Sequence, residues 1–183
     1  MPYRPRVCLP DQFYHIGSRG NRKEPLFLSG ADYSKFLQLI TEIHEQYPLE
    51  IVAYCLMTNH YHIQIRSSEV SLSKVMALLN KRYASYFNKK YDQTGHVFEK
   101  RFFSKPIQGH AGMAKVSHYI HYNPVEACIV PEPQHYQWSS YRSYYANYTS
   151  YPFINKEPIL AIFNHCPQNY HQWCLEVEEK KSQ

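Results

Sequence analysis

The chain has 183 residues and a formal net charge of +5, and 44% of its residues are hydrophobic, which suits one folded domain with an appended segment and argues against general disorder. No stretch approaches the roughly 20 apolar residues of a membrane span, and the first residues lack the apolar core of a signal peptide, so we expect a soluble, cytoplasmic protein. Five cysteines without any Cys-x-x-Cys spacing indicate reduced thiols and argue against a structural zinc site.

The aromatic content is high, with 18 tyrosines, 9 phenylalanines and 2 tryptophans beside the excess of positive charge. Phosphates attract cations, and unpaired bases stack on flat rings. The composition therefore favours a single-stranded nucleic acid as partner. The alternative, that the tyrosines only fill a core and its rim, stays open at this point.

The first third of the chain predicts a strand, a helix and a hairpin. Residues 12–18 form the first predicted strand. Ser29 and Asp32 have capping-box spacing, and the apolar residues after them recur at helical spacing, so we predict a helix that ends before Pro48. Two apolar runs then flank Thr58-Asn59, a pattern typical of a β-hairpin.

The rest of the chain predicts a second helix from Ser71, a fourth strand over residues 96–107 and a third helix over residues 109–122, stopped by Pro124. The order β-α-β-β-α-β predicts an α+β, ferredoxin-like fold, an antiparallel sheet with helices on one face and the other face free to bind a ligand. Residues 131–183, with a final helix over residues 169–180, are predicted to be a C-terminal extension packed on a domain of residues 1–130.

His60 and His62 occupy alternate positions of the third predicted strand. Side chains of a strand alternate between its faces, so both imidazoles point the same way and could form half of a metal site. With 11 histidines in the chain, this spacing also arises easily by chance. The rest of the site therefore has to come from elsewhere in the sequence.

The third predicted helix carries Tyr119 and Asn123, which are four residues apart and share one helix face. If this helix lies beside the histidine strand, Asn123 can complete the metal site and the Tyr119 hydroxyl can reach its edge. Imidazole nitrogens are typical ligands of transition-metal ions, whereas Mg²⁺ prefers oxygen ligands. We leave His118 and His121 out of the metal site, although a zinc hydrolase that uses either of them is a rival hypothesis.

Five stretches have a specific order and spacing between about residues 10 and 145: Met57-Thr58-Asn59-His60-Tyr61-His62, Phe87-Asn88, Gly95-His96-Val97-Phe98-Glu99-Lys100-Arg101-Phe102, Tyr119-Ile120-His121-Tyr122-Asn123-Pro124-Val125 and Trp138-Ser139-Ser140-Tyr141. They resemble the HUH single-tyrosine transposases, and specifically the REP-associated tyrosine transposase branch of the IS200-like family. The resemblance implies that residues 1–130 form an HUH catalytic domain.

The resemblance also implies a site. His60 and His62 would bind Mg²⁺ or Mn²⁺, and Tyr119 would be the nucleophile. Asn123 stands where related insertion-sequence transposases have a glutamine as third metal ligand. The implied substrate is a hairpin in single-stranded DNA, and the implied assembly is a monomer or a homodimer, with the C-terminal extension favouring the monomer.

A tyrosine hydroxyl has a pKa of about 10, so it needs a base, a metal or a favourable field to attack phosphorus at neutral pH. The product would be a 5′-phosphotyrosine that a 3′-hydroxyl can resolve without ATP. We therefore predict a metal-dependent transposase that cleaves single-stranded hairpin DNA and rejoins strands. The alternative is a catalytically inactive DNA-binding regulator on the same fold.

The predicted DNA-binding residues are six cations and one amide, each of which could instead be a solvated surface group. Glu99 and Asp92 are interpreted as surface charges rather than proton carriers. The predicted DNA-binding residues are Arg19, Asn21, Arg22, Lys81, Arg82, Arg101 and Lys105.

Overall fold

The computed structural model describes residue 9, residues 11–145 and residues 151–181. Within those residues, no helix is both long enough and apolar enough to cross a lipid bilayer. The strands and helices are β1 (Tyr14–Arg19), α1 (Gly30–Gln46), β2 (Leu49–Met57), β3 (His60–Ser67), α2 (Leu72–Tyr91), β4 (Phe103–Pro106), α3 (Gly109–Glu126), α4 (Tyr141–Tyr145), α5 (Glu157–Leu160) and α6 (Pro167–Lys181).

The four strands form one antiparallel sheet in the order β2-β3-β1-β4. The hairpin predicted at Thr58-Asn59 joins β2 to β3, and Met57 pairs with His60 across it. α1 and α2 are the two crossover connections of a β-α-β-β-α-β unit. The predicted ferredoxin-like α+β fold is therefore confirmed.

One face of the sheet is covered by α1 and α2. α1 begins where its capping box predicts, because the buried Asp32 carboxylate accepts hydrogen bonds from the backbone N–H groups of Leu28 and Ser29 at 2.9 and 2.8 Å. Apolar side chains from both helices meet those from alternate strand positions in a closed core. Its members include Phe36, Tyr61, Ile63, Leu79 and Tyr83.

The opposite face is only partly free, so the prediction of helices on one face holds for α1 and α2 alone. α3 and the segment after it bury Val52, Ala53 and Cys55 of β2 on that side. Every residue from Ile51 to Met57 is buried, as an uninterrupted apolar run requires when a strand is covered on both faces. The half of this face over β1 and β4 instead borders a cavity.

The segment from residue 131 onward also covers an edge of the sheet. β2 is an edge strand, so the backbone groups on its outer side need partners. Three backbone hydrogen bonds of 2.9 to 3.0 Å link this segment to β2: Leu56 N to Trp138 O, Ser140 N to Tyr54 O, and Asn155 N to Ile51 O. The final helix predicted near residue 169 is confirmed as α6.

The fourth strand is shorter than predicted. Gly17 pairs with Phe103, and a continuous ladder would then place residue 100 opposite Gly20. Gly20 pairs with Phe98 instead, so two extra residues bulge out of the ladder between these pairs. The bulge breaks the strand predicted over residues 96–107, and its Lys100 and Arg101 line the cavity.

The third helix is longer than predicted, because it continues through Pro124 to Glu126. Pro124 has no backbone N–H to donate and its ring crowds the carbonyl of Ile120, but Ala127 N still bonds to Asn123 O at 3.0 Å, so the last turn stays closed. Asn123 therefore lies inside the helix, and its four-residue spacing from Tyr119 places both on one face.

Candidate active site

Strand pairing gathers the polar residues on the face that α1 and α2 leave uncovered. Residues directly opposite in an antiparallel pair share a face. His62 lies opposite Gly17 and His60 lies opposite Arg19, while His15 lies opposite Lys105 on the other side of β1. Three strands therefore contribute side chains to one surface.

α3 places Tyr119 over this surface. The Tyr119 ring centroid lies 5.4 Å from that of His62 and 5.6 Å from that of His15. The side chain is 40% exposed and lines a cavity of about 610 Å³, which is lined also by His60 and His62. A hydrogen bond links this helix to β3: Gln64 Nε2 donates to the Met113 carbonyl oxygen at 3.2 Å.

Asn123 lies on the same face of α3 and forms a side-chain hydrogen bond with His60. Its side chain is almost fully buried. The structure thus brings together all four residues of the predicted catalytic site: the two histidines of β3, Tyr119 and Asn123.

The histidines of the site favour their neutral forms. Burial, followed by the neighbouring His15, His60 and Arg19, lowers the pKa of His62 to about 3. Burial, followed by the charge of Lys105, lowers the pKa of His15 to about 4. The pKa of His60 is also lowered, first by burial, with the Asn123 hydrogen bond acting in the opposite direction. Neutral imidazoles are the form that binds metal ions.

Each imidazole of the His60/His62 pair has a partner on Nδ1. Asn59 Oδ1 lies 2.8 Å from His60 Nδ1, and His15 Nε2 lies 3.0 Å from His62 Nδ1. A metal-binding histidine commonly donates its second N–H in this way, which leaves Nε2 for the ion. Among the residues that the structure describes, no three His, Cys, Asp or Glu side chains are arranged to hold a metal. The two imidazoles and the nearby Asn123 amide are the candidate donors for an ion at this place.

The predicted DNA-binding residues fall into three places. Arg19, Arg101 and Lys105 line the active-site cavity, together with Glu99 and Lys100. Asn21 and Arg22 line a second cavity of about 420 Å³ beside Asn88 and Gly95. Lys81 and Arg82 are on α2, the layer that covers the other face, and Arg82 Nη1 lies 3.7 Å from Glu42 Oε2 of α1. The structure does not bring these last two to the active site.

The ring nitrogens of His118 and His121 have partners other than His60 and His62. His121 is fully buried, with Nδ1 2.8 Å from Tyr170 Oη and Nε2 2.7 Å from Ser140 Oγ. His118 Nε2 lies 3.2 Å from Glu178 Oε1 of α6. The zinc-hydrolase hypothesis requires one of these rings beside His60 and His62, so this geometry contradicts it.

Sequence reasoning missed His15. It shares β1 with Gly17 and Arg19 at alternate positions, so the strand period indicates that the three share a face. Which face that is depends on pairing between β1 and β3, which join residues more than 40 positions apart. Phe103 was missed for the same reason: its ring is nearly perpendicular to that of His15 and tilted to that of His62, at centroid distances of 5.0 and 5.9 Å.

Comparison with known proteins decides the family. The sequence profile of the family described as "Transposase IS200 like" matches residues 9–123, more than half of the chain. This protein belongs to the IS200-like transposase family. Transposases of this family cleave DNA and transfer strands, and the family is generally metal-dependent. The match ends at Asn123, so it includes the histidine pair and Tyr119.

One further protein sequence and one solved structure are similar to this transposase. A Haemophilus influenzae protein proposed to be a REP-associated tyrosine transposase is 28% identical over 124 residues, which cover 61% of this chain and 70% of the relative. A solved structure of a REP-associated tyrosine transposase bound to a REP hairpin superposes with a TM-score of 0.67 at 17% identity, covering 78% of this chain and 84% of the other. That superposition shows a shared fold.

Proposed function

We propose that this transposase is a metal-dependent endonuclease and strand transferase that acts on hairpins in single-stranded DNA, with Tyr119 as nucleophile. The observation that carries the proposal is the position of Tyr119, a half-exposed tyrosine against His62 at the wall of a cavity lined by cations. A nucleophile needs an open path to phosphorus, and phosphate needs positive charge around it. Both conditions hold at Tyr119.

The proposed reaction exchanges one phosphorus–oxygen bond for another. The Tyr119 hydroxyl gives up its proton to solvent and its oxygen attacks the phosphorus, while the bond to the DNA 3′ oxygen breaks and that oxygen takes up a proton. The product is a 5′-phosphotyrosine with a free 3′-hydroxyl on the other strand end. A second 3′-hydroxyl can then reverse the exchange, so strands are rejoined without ATP.

The residues of the proposed metal site are His60, His62 and Asn123. An Mg²⁺ or Mn²⁺ ion bound there would polarise a non-bridging phosphate oxygen and stabilise the departing 3′ oxygen. The chain's own contribution is orientation. Asn59 fixes the His60 ring, and Asn123 presents its amide to the same ring from α3.

We propose further that Arg19, Arg101 and Lys105 hold DNA phosphates near the cleavage site, because all three line the active-site cavity. The fold shared with a transposase bound to a REP hairpin supports a hairpin as the substrate. Asn21 and Arg22 would contact DNA at the second cavity, and Lys81 and Arg82 remain predictions for contacts away from the cleavage site. We expect the protein to act in the cytoplasm, where its DNA substrate is.

In this proposal residues 1–130 form the catalytic domain and residues 131–183 an extension that supports it. The extension packs against β2 and α3, and this packing supports a monomer over a homodimer that exchanges α3.

The decisive experiment replaces Tyr119 by phenylalanine. Wild-type protein incubated with Mn²⁺ and hairpin DNA labelled at its 3′ end should give a labelled protein band on a denaturing gel. Tyr119→Phe should lose this band by at least about a thousandfold, because no oxygen remains to attack phosphorus, and hairpin affinity should be nearly unchanged.

Tyr145→Phe is a matched control, since Tyr145 is an exposed tyrosine outside the cavity and should keep full covalent attachment. Undiminished cleavage by Tyr119→Phe would refute the assignment of the nucleophile. Tight hairpin binding by a wild-type protein that never cleaves would favour the inactive DNA-binding regulator.

A further inference from the structure

We propose that His15 is a positioning residue for His62, accepting a hydrogen bond from its Nδ1–H so that Nε2 of His62 points its lone pair at the metal. This inference rests on the proposed function, because it assigns His62 to the metal site. It adds a strand that the sequence motif does not include, since His15 lies on β1 and the histidine pair on β3.

The contact itself is specific. His15 Nε2 and His62 Nδ1 are 3.0 Å apart, within hydrogen-bond distance, and the ring centroids are 5.0 Å apart with the planes tilted by 43°. A hydrogen bond between two imidazoles needs one nitrogen with a proton and one without. Two arrangements satisfy this condition, and they differ in which ring donates.

Only one arrangement is compatible with a metal on Nε2 of His62. If His15 Nε2–H donates, a neutral His62 carries its own proton on Nε2, and that nitrogen has no lone pair for an ion. If His62 Nδ1–H donates, Nε2 is unprotonated and available. His15 must therefore be the acceptor, with its proton on Nδ1.

The packing around His15 keeps its ring in this position. Phe103 contacts the His15 ring edge-on at a centroid distance of 5.0 Å, and Tyr119 contacts it at 5.6 Å. Phe103 comes this close because residue 17 is glycine: a Cβ there would lie 2.4 Å from the Phe103 ring. The ring therefore has little freedom to turn its acceptor away from His62.

The parallel with His60 supports the same role. Asn59 Oδ1 is a side-chain acceptor at 2.8 Å from Nδ1 of His60, so each histidine of the pair has a partner on the same ring nitrogen. Asn59 comes from the β2–β3 turn, whereas His15 comes from the neighbouring strand. Two different elements thus orient the two rings alike.

The first test needs no metal. Long-range ¹H–¹⁵N correlation spectra of the metal-free protein distinguish the two neutral imidazole tautomers. We expect His62 to be protonated on Nδ1 and His15 on Nδ1 as well. Protonation of His62 on Nε2 would overturn the proposal, whatever the metal site turns out to be.

The second test measures Mn²⁺ affinity without DNA, by titration followed with electron paramagnetic resonance. His15→Phe keeps a flat ring but has no acceptor, and we expect it to weaken Mn²⁺ binding by about 10- to 100-fold, the effect typical of losing such a partner. His15→Gln restores an acceptor oxygen and should recover most of the affinity. Hairpin binding should be unchanged in both variants.

The controls separate this proposal from the proposed function. His135→Phe, at an exposed histidine outside the cavity, should bind Mn²⁺ as the wild type does, and a thermal melt checks that each variant is folded. Loss of binding in His60→Ala tests the metal site itself. Full affinity in a folded His15→Phe protein, or no recovery in His15→Gln, would refute the role of His15 while leaving that site intact.

Discussion

The two faces of the sheet are built from the same strands and differ in how they are covered. On one face, α1 and α2 close over an apolar core with residues such as Phe36 and Tyr83 fully buried. On the other, α3 and the C-terminal segment cover β2 and β3, and the surface over β1 and β4 borders the cavity that contains Tyr119. The first face forms the apolar core, and the second face carries the residues of the candidate active site.

The second face includes buried polar groups on α3. His121 is a fully buried residue of α3, and its two ring nitrogens contact Tyr170 Oη and Ser140 Oγ. It lies two residues from both Tyr119 and Asn123 in the sequence. Buried hydrogen-bonded groups fix a helix in one position more strictly than apolar contacts do, because a shifted helix leaves polar atoms without partners. On the face that carries Tyr119, these buried hydrogen bonds therefore hold α3 in one defined position.

The largest effect on stability should come from the closed face. Phe36→Ala removes a fully buried ring and should lower the free energy of unfolding by about 3–5 kcal/mol, measured by urea denaturation. Cleavage per folded molecule should be unchanged, because Phe36 is on the far side of the sheet from Tyr119.

Phe103→Ala is the matched change on the catalytic face. Phe103 is only partly buried, so its loss should lower the free energy of unfolding less than Phe36→Ala does, yet reduce cleavage more, since the ring packs on His15 and His62. Equal stability losses in the two variants would contradict the division between the faces.

A second effect should appear on acidification. Burial lowers the pKa of His62 and of His121 to about 3, against an ordinary value of 6.5. Between pH 6.5 and 3 the unfolded chain therefore binds protons on these rings that the folded protein does not. The free energy of unfolding should fall as pH is lowered through this range, by at most about 1.4 kcal/mol per pH unit for each ring.

Urea denaturation at pH 7, 6 and 5 measures this slope, and His121→Gln should make it shallower. Tyr170→Phe is the control, because it removes a hydrogen bond of His121 without removing the titrating ring. It should lower stability at every pH and keep the wild-type slope. A His121→Gln protein with an unchanged slope would show that His121 does not contribute to the acid sensitivity.

The smallest effects should separate the cations of the two faces. Arg19→Ala removes a charge at the cavity and should weaken binding of the hairpin. The slope of log affinity against log salt concentration should become shallower by about one, as expected for the loss of one phosphate contact. Arg82→Ala affects an exposed ion pair with Glu42, worth at most about 1 kcal/mol, and should weaken hairpin binding less than Arg19→Ala does.

Fluorescence anisotropy at several salt concentrations compares the two variants. Equal losses of affinity would mean that DNA also contacts the α2 layer, as the sequence prediction for Lys81 and Arg82 has it. The distinction between a structural face and a DNA-binding face would then have to be abandoned.

Much of the fold could be predicted from the chain because its signals are local. The Ser29/Asp32 capping box, the Thr58-Asn59 turn and the apolar spacing of the first two helices each depend on residues within a few positions of one another. One prediction that was wrong involves non-local pairing: the fourth strand is interrupted because its bulge depends on pairing with β1. The other is local: α3 continues two residues past Pro124, and the hydrogen bond from Ala127 N to Asn123 O closes its last turn.

By itself, the sequence determined the order of the elements, the shared face of His60 and His62, and the four-residue spacing of Tyr119 and Asn123. These follow from the periods of a strand and of a helix, which act within one element. Only the tertiary structure decided that α3 covers the histidine strand, that β1 brings His15 to His62, and that three predicted cations line the cavity while Lys81 and Arg82 lie on another layer. Those relations depend on which strands pair and which faces are covered, and the period of a single element carries no information about its neighbours.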